Sequence, residues 1–393
     1  MMNYDICVIG GCGHVGLPLA AAFAKEGKKV IINDINEKAI KLVENCQAPF
    51  MEDGLEDVLK QTIGKTLFLS SDKKVISESE FVVVVVGTPV DEHLNPVFST
   101  LKMFFDDITP FLQDGQTVIL RSTLYPGLTK KLNQMLTSSG KNIGVCFCPE
   151  RILEGKSMEE LCALPQIVSS FNKESLTKVA DLFKLLTKDI IIVEPVEAEL
   201  AKLFTNTWRY IQFAAANQFY MMAEEYGADF YRIHHAMTHN YPRTKNFPKA
   251  GFAAGPCLFK DCMQLSAFTD NKFFLGHAAM LINEGLPNFI VSKLEEKHDL
   301  SKKNVGIIGM AFKSESDDIR ESLSYKLKKI LDIKAKCTYC SDPFVKDSLF
   351  ISENELIERC DIIIIGAPHK VYKTLDFKNK IAIDVWNILG DKK

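Results

Sequence analysis

Short aliphatic runs punctuate the first half of the chain at Ile6–Ile9, Val30–Ile32, Phe81–Val86, Thr117–Leu120 and Ile143–Phe147. Their apolar character is nearly continuous rather than alternating, as a strand covered on both faces requires. Helical patterns separate them, so residues 1–195 are expected to form one doubly wound α/β domain around a parallel sheet. From Val196 the pattern changes. Glu197 to Tyr226 carries apolar positions at helical spacing with no proline or glycine, which predicts a long helix. More helix is predicted through Asp229–Met237 and from Asp261 to Glu295, making 196–298 a central helical domain. After Asn304 the strand–helix alternation resumes, with Val305–Ile308, Ile362–Ile365 and Ile381–Val385 as strands of a smaller α/β domain over 299–393.

A length of 393 residues suits two or three such domains. Even the runs Phe81–Val86 and Ile362–Ile365 fall far short of the roughly 20 apolar residues that span a bilayer, so no membrane partner is expected. The amino terminus enters Tyr4-Asp-Ile-Cys-Val-Ile-Gly directly, without the layout of an export signal, and a cytoplasmic protein is expected. Net charge is −3 with acids and bases interspersed, which leaves no basic stripe for nucleic acid. Eleven scattered cysteines argue for reduced thiols over a disulfide framework. The one CxxC, Cys337 and Cys340, lacks a second ligand pair and reads as a strand end, so no metal is expected.

Candidate chemistry begins at Gly11-Cys12-Gly13-His14-Val15-Gly16, a GxGxxG directly after a strand and at the start of a helix. The first glycine permits the turn, the second lets backbone approach a pyrophosphate, and the third lets helix pack on strand. Asp34 ends the second strand, where an acid accepts from ribose hydroxyls and repels a 2′-phosphate, which favours NAD over NADP. Gly87-Thr88-Pro89 and Arg121-Ser122-Thr123 end further strands at the same sheet edge and are expected to line the cofactor, Ser122 and Thr123 with hydroxyls near the nicotinamide or a water. Glu150-Arg151 and Leu153-Glu154 follow another strand, and either carboxylate is a candidate base or water-positioning group. Lys202 and Asn206, four residues apart, share a helix face, with Asn217 near it three turns on; they form either an oxyanion or water site or a surface pair. In Gly251-Phe-Ala-Ala-Gly-Pro-Cys257-Leu-Phe-Lys-Asp261 the small residues give access to a thiol, which is either a nucleophile or a packed core cysteine.

In this order the segments GGCGHVGLP, VVGTP, RSTLYPG, CPERILEGK, EAELAKLFTNTW, GFAAGPCLFKD and GMAFKSESDDIRES resemble the nucleotide-sugar 6-dehydrogenase family, the UDP-glucose, GDP-mannose and UDP-N-acetylmannosamine dehydrogenases, over nearly the whole chain. The resemblance implies two Rossmann-like doubly wound domains, the first for NAD and the last for a nucleotide sugar, joined by a helical domain that dimerises. It also implies four-electron oxidation of carbon 6 to a carboxylate with two NAD and no metal, for surface glycan synthesis. Cys257 would form the thiohemiacetal and thioester, Lys202 and Asn206 stabilise the carbon-6 oxygen, Thr123 and Asp261 place water, and Glu154 assist thioester hydrolysis, with Glu150 beside the cofactor. Substrate contacts would come from Glu150, Arg151, Leu153, Glu154, Lys202, Asn206, Gly251, Gly255, Lys313 and Arg320.

Arg243, fourteen residues before Cys257, matches the spacing of N-acetylhexosamine members, in which it reaches the partner subunit's substrate. A UDP-N-acetylhexosamine is therefore expected, with UDP-glucose or GDP-mannose as the alternative sugars. A two-electron hydroxyacid-type dehydrogenase and a non-catalytic sugar-nucleotide sensor are the alternative activities. Two departures bear on specificity: Ala254-Gly255-Pro256 replaces the usual GGS or GGH before the cysteine, and Asp384-Val-Trp386-Asn387 replaces DGR.

Overall fold

The computed structural model describes residues 2–88, 91, 97–253 and 255–390, so Pro89 and Ala254 lie outside the described residues. The chain divides into two compact units, 1–204 and 205–393.

The first unit is built on strands β1 (Tyr4–Ile9), β2 (Val30–Asn33), β3 (Leu67–Ser70), β4 (Ser79–Val84), β5 (Thr117–Leu120), β6 (Gly144–Phe147), β7 (Gln166–Ser170) and β8 (Ile190–Ile192). They lie in the order β3-β2-β1-β4-β5-β6-β7-β8, parallel except where β6 meets β7. The order reverses between β1 and β4, which opens a ligand crevice beyond the carboxyl ends of these strands. One core packs Ile6, Val8 and Ile32 against helix Gly16–Lys25, whose run of alanines lets it lie close to the sheet. A second core covers the other face with Val82, Phe105, Val118 and Leu132. Both faces are therefore dry, which accounts for the unalternating strand sequences.

The second unit carries β9 (Asn304–Ile308), β10 (Cys337–Ser341), β11 (Ile362–Ile365) and β12 (Ile381–Ile383), all parallel, in the order β10-β9-β11-β12. The helical segment after residue 204 lies in the same compact unit as this sheet. Ala223, Phe230, Leu286 and Ile290 share one core with Val305, Ile307, Leu327 and Ile364, so the central helices pack directly on the carboxy-terminal sheet.

Helix Pro195–Glu225 has 31 residues and opens on proline, whose fixed φ suits the first helical position. The helix expected over Asp261–Glu295 is two, Leu258–Phe268 and Phe274–Glu295. Asp270 and Asn271 adopt positive φ between them, a conformation these short polar side chains tolerate and a continuing helix does not.

Candidate active site

The turn after β1 is shaped for a pyrophosphate. A Cβ on Gly11 would stand 2.8 Å from Val8 O, and one on Gly16 would stand 2.6 Å from Gly11 Cα and 2.8 Å from Val85 Cγ2. A Cβ on Gly13 would meet only Gly10 O, at 3.8 Å, so the space above Gly13 is open to a ligand. Val15 caps the following helix without a side-chain hydrogen bond, and its first turn holds no acid, which leaves a positive helix end for phosphate. His14 packs against Phe50 with centroids 4.0 Å apart and the rings tilted by 32°, beside this turn. Asp34 accepts Cys12 N–H and Asn36 N–H, both at 2.9 Å, and stays partly open to a ribose. These residues fit NAD.

Beyond β4 and β5 the expected hydroxyls divide into two roles. Ser122 Oγ donates to Val86 O at 2.5 Å and Thr88 Oγ1 to Thr123 O at 2.9 Å, so these two tie the strand ends together. The Thr123 hydroxyl takes no part in the tie, and a Cβ on Gly87 would find nothing within 4 Å. Glu150 is similarly committed. Its Oε2 is paired with the fully buried Arg121, which also donates to Cys148 O and Gln166 Oε1, while its Oε1 accepts Arg151 N–H and Ile152 N–H. A carboxylate so held shapes the loop and has little freedom to act as a base. Glu154 is half-buried beyond it and Leu153 exposed.

Two acids in this unit were not singled out from sequence. Glu52 accepts Gly155 N–H at 2.8 Å, Ser157 N–H at 2.6 Å and Ser157 Oγ at 2.7 Å, which fixes the backbone next to Glu154. Glu199, fully buried on the long helix, accepts Gly127 N–H, Thr129 N–H and Thr129 Oγ1. It thereby holds the turn that follows Thr123 to the helix that carries Lys202, three residues on. The sequence signal was an acid on the apolar stripe of an amphipathic helix, a position that demands partners.

In the second unit Cys257 is exposed and stands at the amino terminus of helix Leu258–Phe268. One turn on, Asp261 is fully buried and accepts Asn206 Nδ2 at 2.6 Å. Asn206 is thus turned toward the cysteine's helix, and Lys202 precedes it by one turn. Asn217 does not join this group: it donates to Gly251 O at 3.0 Å and accepts Gly251 N–H at 2.8 Å, so it anchors the root of the cysteine loop.

The turn after β9 carries Lys313, whose Nζ lies 5.4 Å above the Phe312 ring, and Arg320, whose Nε donates to both carboxylate oxygens of Asp318 at 2.9 Å and whose Nη2 donates to Oδ2 at 2.5 Å. Ile319 and Glu321 line a cavity of about 450 Å³ that also reaches Gly255 and Phe259. Asp342 follows β10 as Asp34 follows β2, but its carboxylate is fully buried and spent on Met310 N–H, Ala311 N–H and His369. His369 Nδ1 accepts Glu315 N–H at 3.0 Å, so Nε2 carries the proton that faces Asp342. Burial would raise the Asp342 carboxyl, but hydrogen bonds from His369, Ala311 N–H and Phe344 N–H outweigh it and hold it below its ordinary value. The acid that follows β10 is therefore not open to a ribose as Asp34 is, and Lys313 is a charged group the turn after β9 offers. Arg243 is exposed, its guanidinium donating to Tyr241 Oη at 2.6 Å.

A glycine cradle with an open acid on one sheet and a lysine-bearing turn on a second define a dinucleotide-dependent oxidoreductase with an additional nucleotide-binding domain. Models of the UDP-glucose/GDP-mannose dehydrogenase family match its NAD binding domain at residues 4–187, its central domain at 196–284 and its UDP binding domain at 306–391. The chain is 30% identical to a UDP-N-acetyl-D-mannosamine dehydrogenase of Methanocaldococcus jannaschii over 98% of this chain and 92% of that protein. Its fold is similar to that of the UDP-D-ManNAc dehydrogenase of Pyrococcus horikoshii, with TM-score 0.88, 27% identity and coverage of 95% and 91%. It is similar in fold also to a UDP-glucose dehydrogenase of Pyrobaculum islandicum, with TM-score 0.90, 23% identity and coverage of 97% and 94%. The chain belongs to the UDP-glucose/GDP-mannose dehydrogenase family. It is an NAD-dependent nucleotide-sugar dehydrogenase, as the sequence motifs led us to expect.

Proposed function

We propose that the protein oxidises the carbon-6 alcohol of a UDP-N-acetylhexosamine to the uronic acid by four electrons, through a Cys257 thioester. The observation that carries this reading is the exposed Cys257 at a helix amino terminus, with buried Asp261 in the first turn hydrogen-bonded to Asn206. NAD supplies the hydride acceptor for both oxidations, held by Gly11, Gly13, Val15, Gly16 and Asp34. The first oxidation removes a hydride and a proton from the alcohol and leaves the aldehyde. Cys257 Sγ bonds to carbon 6, and the oxygen charge that develops is stabilised by the Lys202 ammonium and the Asn206 amide. Loss of a second hydride and proton gives the thioester. Water held by Thr123 and Asp261, with Glu154 assisting, displaces the thiol and releases the carboxylate.

The substrate class is supported by the Arg243 spacing and by the N-acetylmannosamine relatives. Arg151, Leu153, Gly251, Gly255, Lys313 and Arg320 would complete the substrate site, and Glu150 would shape it from behind. A homodimer is the proposed assembly. The long helix bears Phe204, Trp208, Phe219 and Met222, each more than 40% exposed, an apolar face that a second copy would cover. Among the described residues no helix is long and apolar enough to cross a membrane. Work in the cytoplasm on precursors of surface polysaccharide suits this activity.

NADH release across UDP- and GDP-linked hexoses and N-acetylhexosamines tests the assignment. A UDP-N-acetylhexosamine is expected to exceed UDP-glucose and GDP-mannose in kcat/KM by about 10⁴-fold, the discrimination available to a site that hydrogen-bonds a substrate group its competitors lack. Equal or inverted preference contradicts the substrate, and absence of turnover across the panel contradicts the activity.

A further inference from the structure

Two glycines of the Cys257 loop meet aromatic rings from the carboxyl ends of strands in the second sheet. A Cβ on Gly251 would collide with Cε3 and Cζ3 of Trp386, so the six-membered ring of the indole fills the space beside this glycine. A Cβ on Gly255 would stand 2.5 Å from Cδ2 and 2.7 Å from Cε2 of Phe312, and Gly255 holds φ +103, which a side chain disfavours. Each contact therefore depends on the absence of a Cβ.

On its other side the loop root cannot slide. Asn217 holds both backbone groups of Gly251 and shares its amide with Asn283 Oδ1 at 2.9 Å, and Asn283 donates in turn to Tyr210 O at 3.0 Å. Both asparagines are fully buried. Closely packed groups of this kind transmit displacement rather than absorb it.

Both rings are mounted where a nucleotide would bind. Phe312 adjoins Lys313 and lies under its ammonium, and its N–H donates to Asp318 O at 2.9 Å. Trp386 follows β12, and its Nε1–H donates to Gly366 O at 2.9 Å, just past β11. Gly366 and Phe312 flank the β9/β11 switch point, where ligands of such sheets lie.

We propose that Phe312 and Trp386 are positioning residues that couple nucleotide binding at the second sheet to the placement of the Cys257 thiol. A pyrophosphate that draws Lys313 off the Phe312 ring shifts the ring against Gly255, and Cys257, two residues on, moves with it. The proposal rests on the reading of Cys257 and of the second sheet given above.

Carbamidomethylation of Cys257 by iodoacetamide, followed on its own peptide by mass spectrometry with and without UDP, tests the coupling in the full chain. Cys162 and Cys337, also exposed, are internal references. UDP is expected to change the Cys257 rate by about fivefold or more. Trp386→Phe and Phe312→Leu are expected to bind UDP in calorimetry yet lose most of that response, with kcat falling more than about tenfold and the KM of the sugar nucleotide little changed. Variants that bind UDP and respond as the parent does overturn the proposal. Trp208→Phe leaves Trp386 the sole tryptophan, and emission that stays unchanged on UDP binding also overturns it. A parent that fails to bind UDP overturns the nucleotide reading underneath, and the coupling with it.

Discussion

Glu199→Ala should loosen the first unit and slow turnover together, although Glu199 lies outside the chemistry. Its carboxylate accepts Gly127 N–H at 2.6 Å, Thr129 N–H at 2.7 Å and Thr129 Oγ1 at 2.6 Å. Thr129 is fully buried, so no water replaces the lost acceptor for its two donors, whereas Gly127 is partly open. Two stranded donors at about 1–3 kcal/mol each, less the desolvation relieved by removing a buried charge, give a net loss of about 3 kcal/mol. Glu199→Gln keeps one oxygen for Thr129 but turns an amide NH2 toward Gly127 N–H, and should cost about 1–2 kcal/mol. Thr129→Val removes only the hydroxyl, at about 1 kcal/mol. The Glu199→Ala, Thr129→Val double variant should fall short of the sum of the singles by about 1 kcal/mol, because both delete the same bond. Urea unfolding followed by circular dichroism gives the stabilities, and NADH formation gives kcat. Since Glu199 holds the turn after Thr123 to the helix of Lys202, kcat should drop about tenfold in Glu199→Ala. A stability within about 0.5 kcal/mol of the parent, strict additivity and an unchanged kcat would refute the reasoning.

Gly13→Ala should fold as the parent does, since its Cβ enters open space, yet weaken NAD about tenfold or more in calorimetry, because that is the space a pyrophosphate would take. Gly16→Ala should instead lower the unfolding midpoint, its Cβ meeting Gly11 Cα and Val85; similar behaviour of the two variants would contradict the cradle. Asp342 has its carboxyl held below its ordinary value, so its stabilisation is complete above the unfolded pKa of about 4 and is lost as pH falls through the folded value. Fluorescence-monitored acid unfolding of the second unit should therefore steepen below about pH 4, and Asp342→Asn should flatten that slope while lowering stability at neutral pH. An identical acid limb in both proteins would contradict it.

The strands buried on both faces were legible because continuous aliphatic runs have few other uses. β3 and β8 escaped notice: β3 is only half-buried and β8 is a three-residue edge strand, so neither carries a long dry run. β7 is polar at both ends, its Ser169 and Ser170 hydroxyls donating to Phe147 O and Val145 O across the one antiparallel pairing. The positions of the glycine loop after β1, of Asp34 past β2 and of Cys257 before a helix were legible because glycine runs, strand ends and small-residue loops leave local marks in sequence. Glu52, Glu199 and the Asp342–His369 pair were not, since a buried acid shows its purpose only through partners that are 70 to 105 residues away for the first two and 27 for the last. The same holds for Glu150. Its neighbours in sequence suggested a base, and only the fold brings Arg121 to its carboxylate.

The central claim is that Cys257 joins two oxidations, and the NADH yield per sugar tests it most directly. With limiting UDP-N-acetylhexosamine and excess NAD, the parent should release two NADH and one uronic acid per sugar, and Cys257→Ser should form no acid. One NADH per sugar from the parent, or undiminished acid formation by Cys257→Ser, would contradict the account.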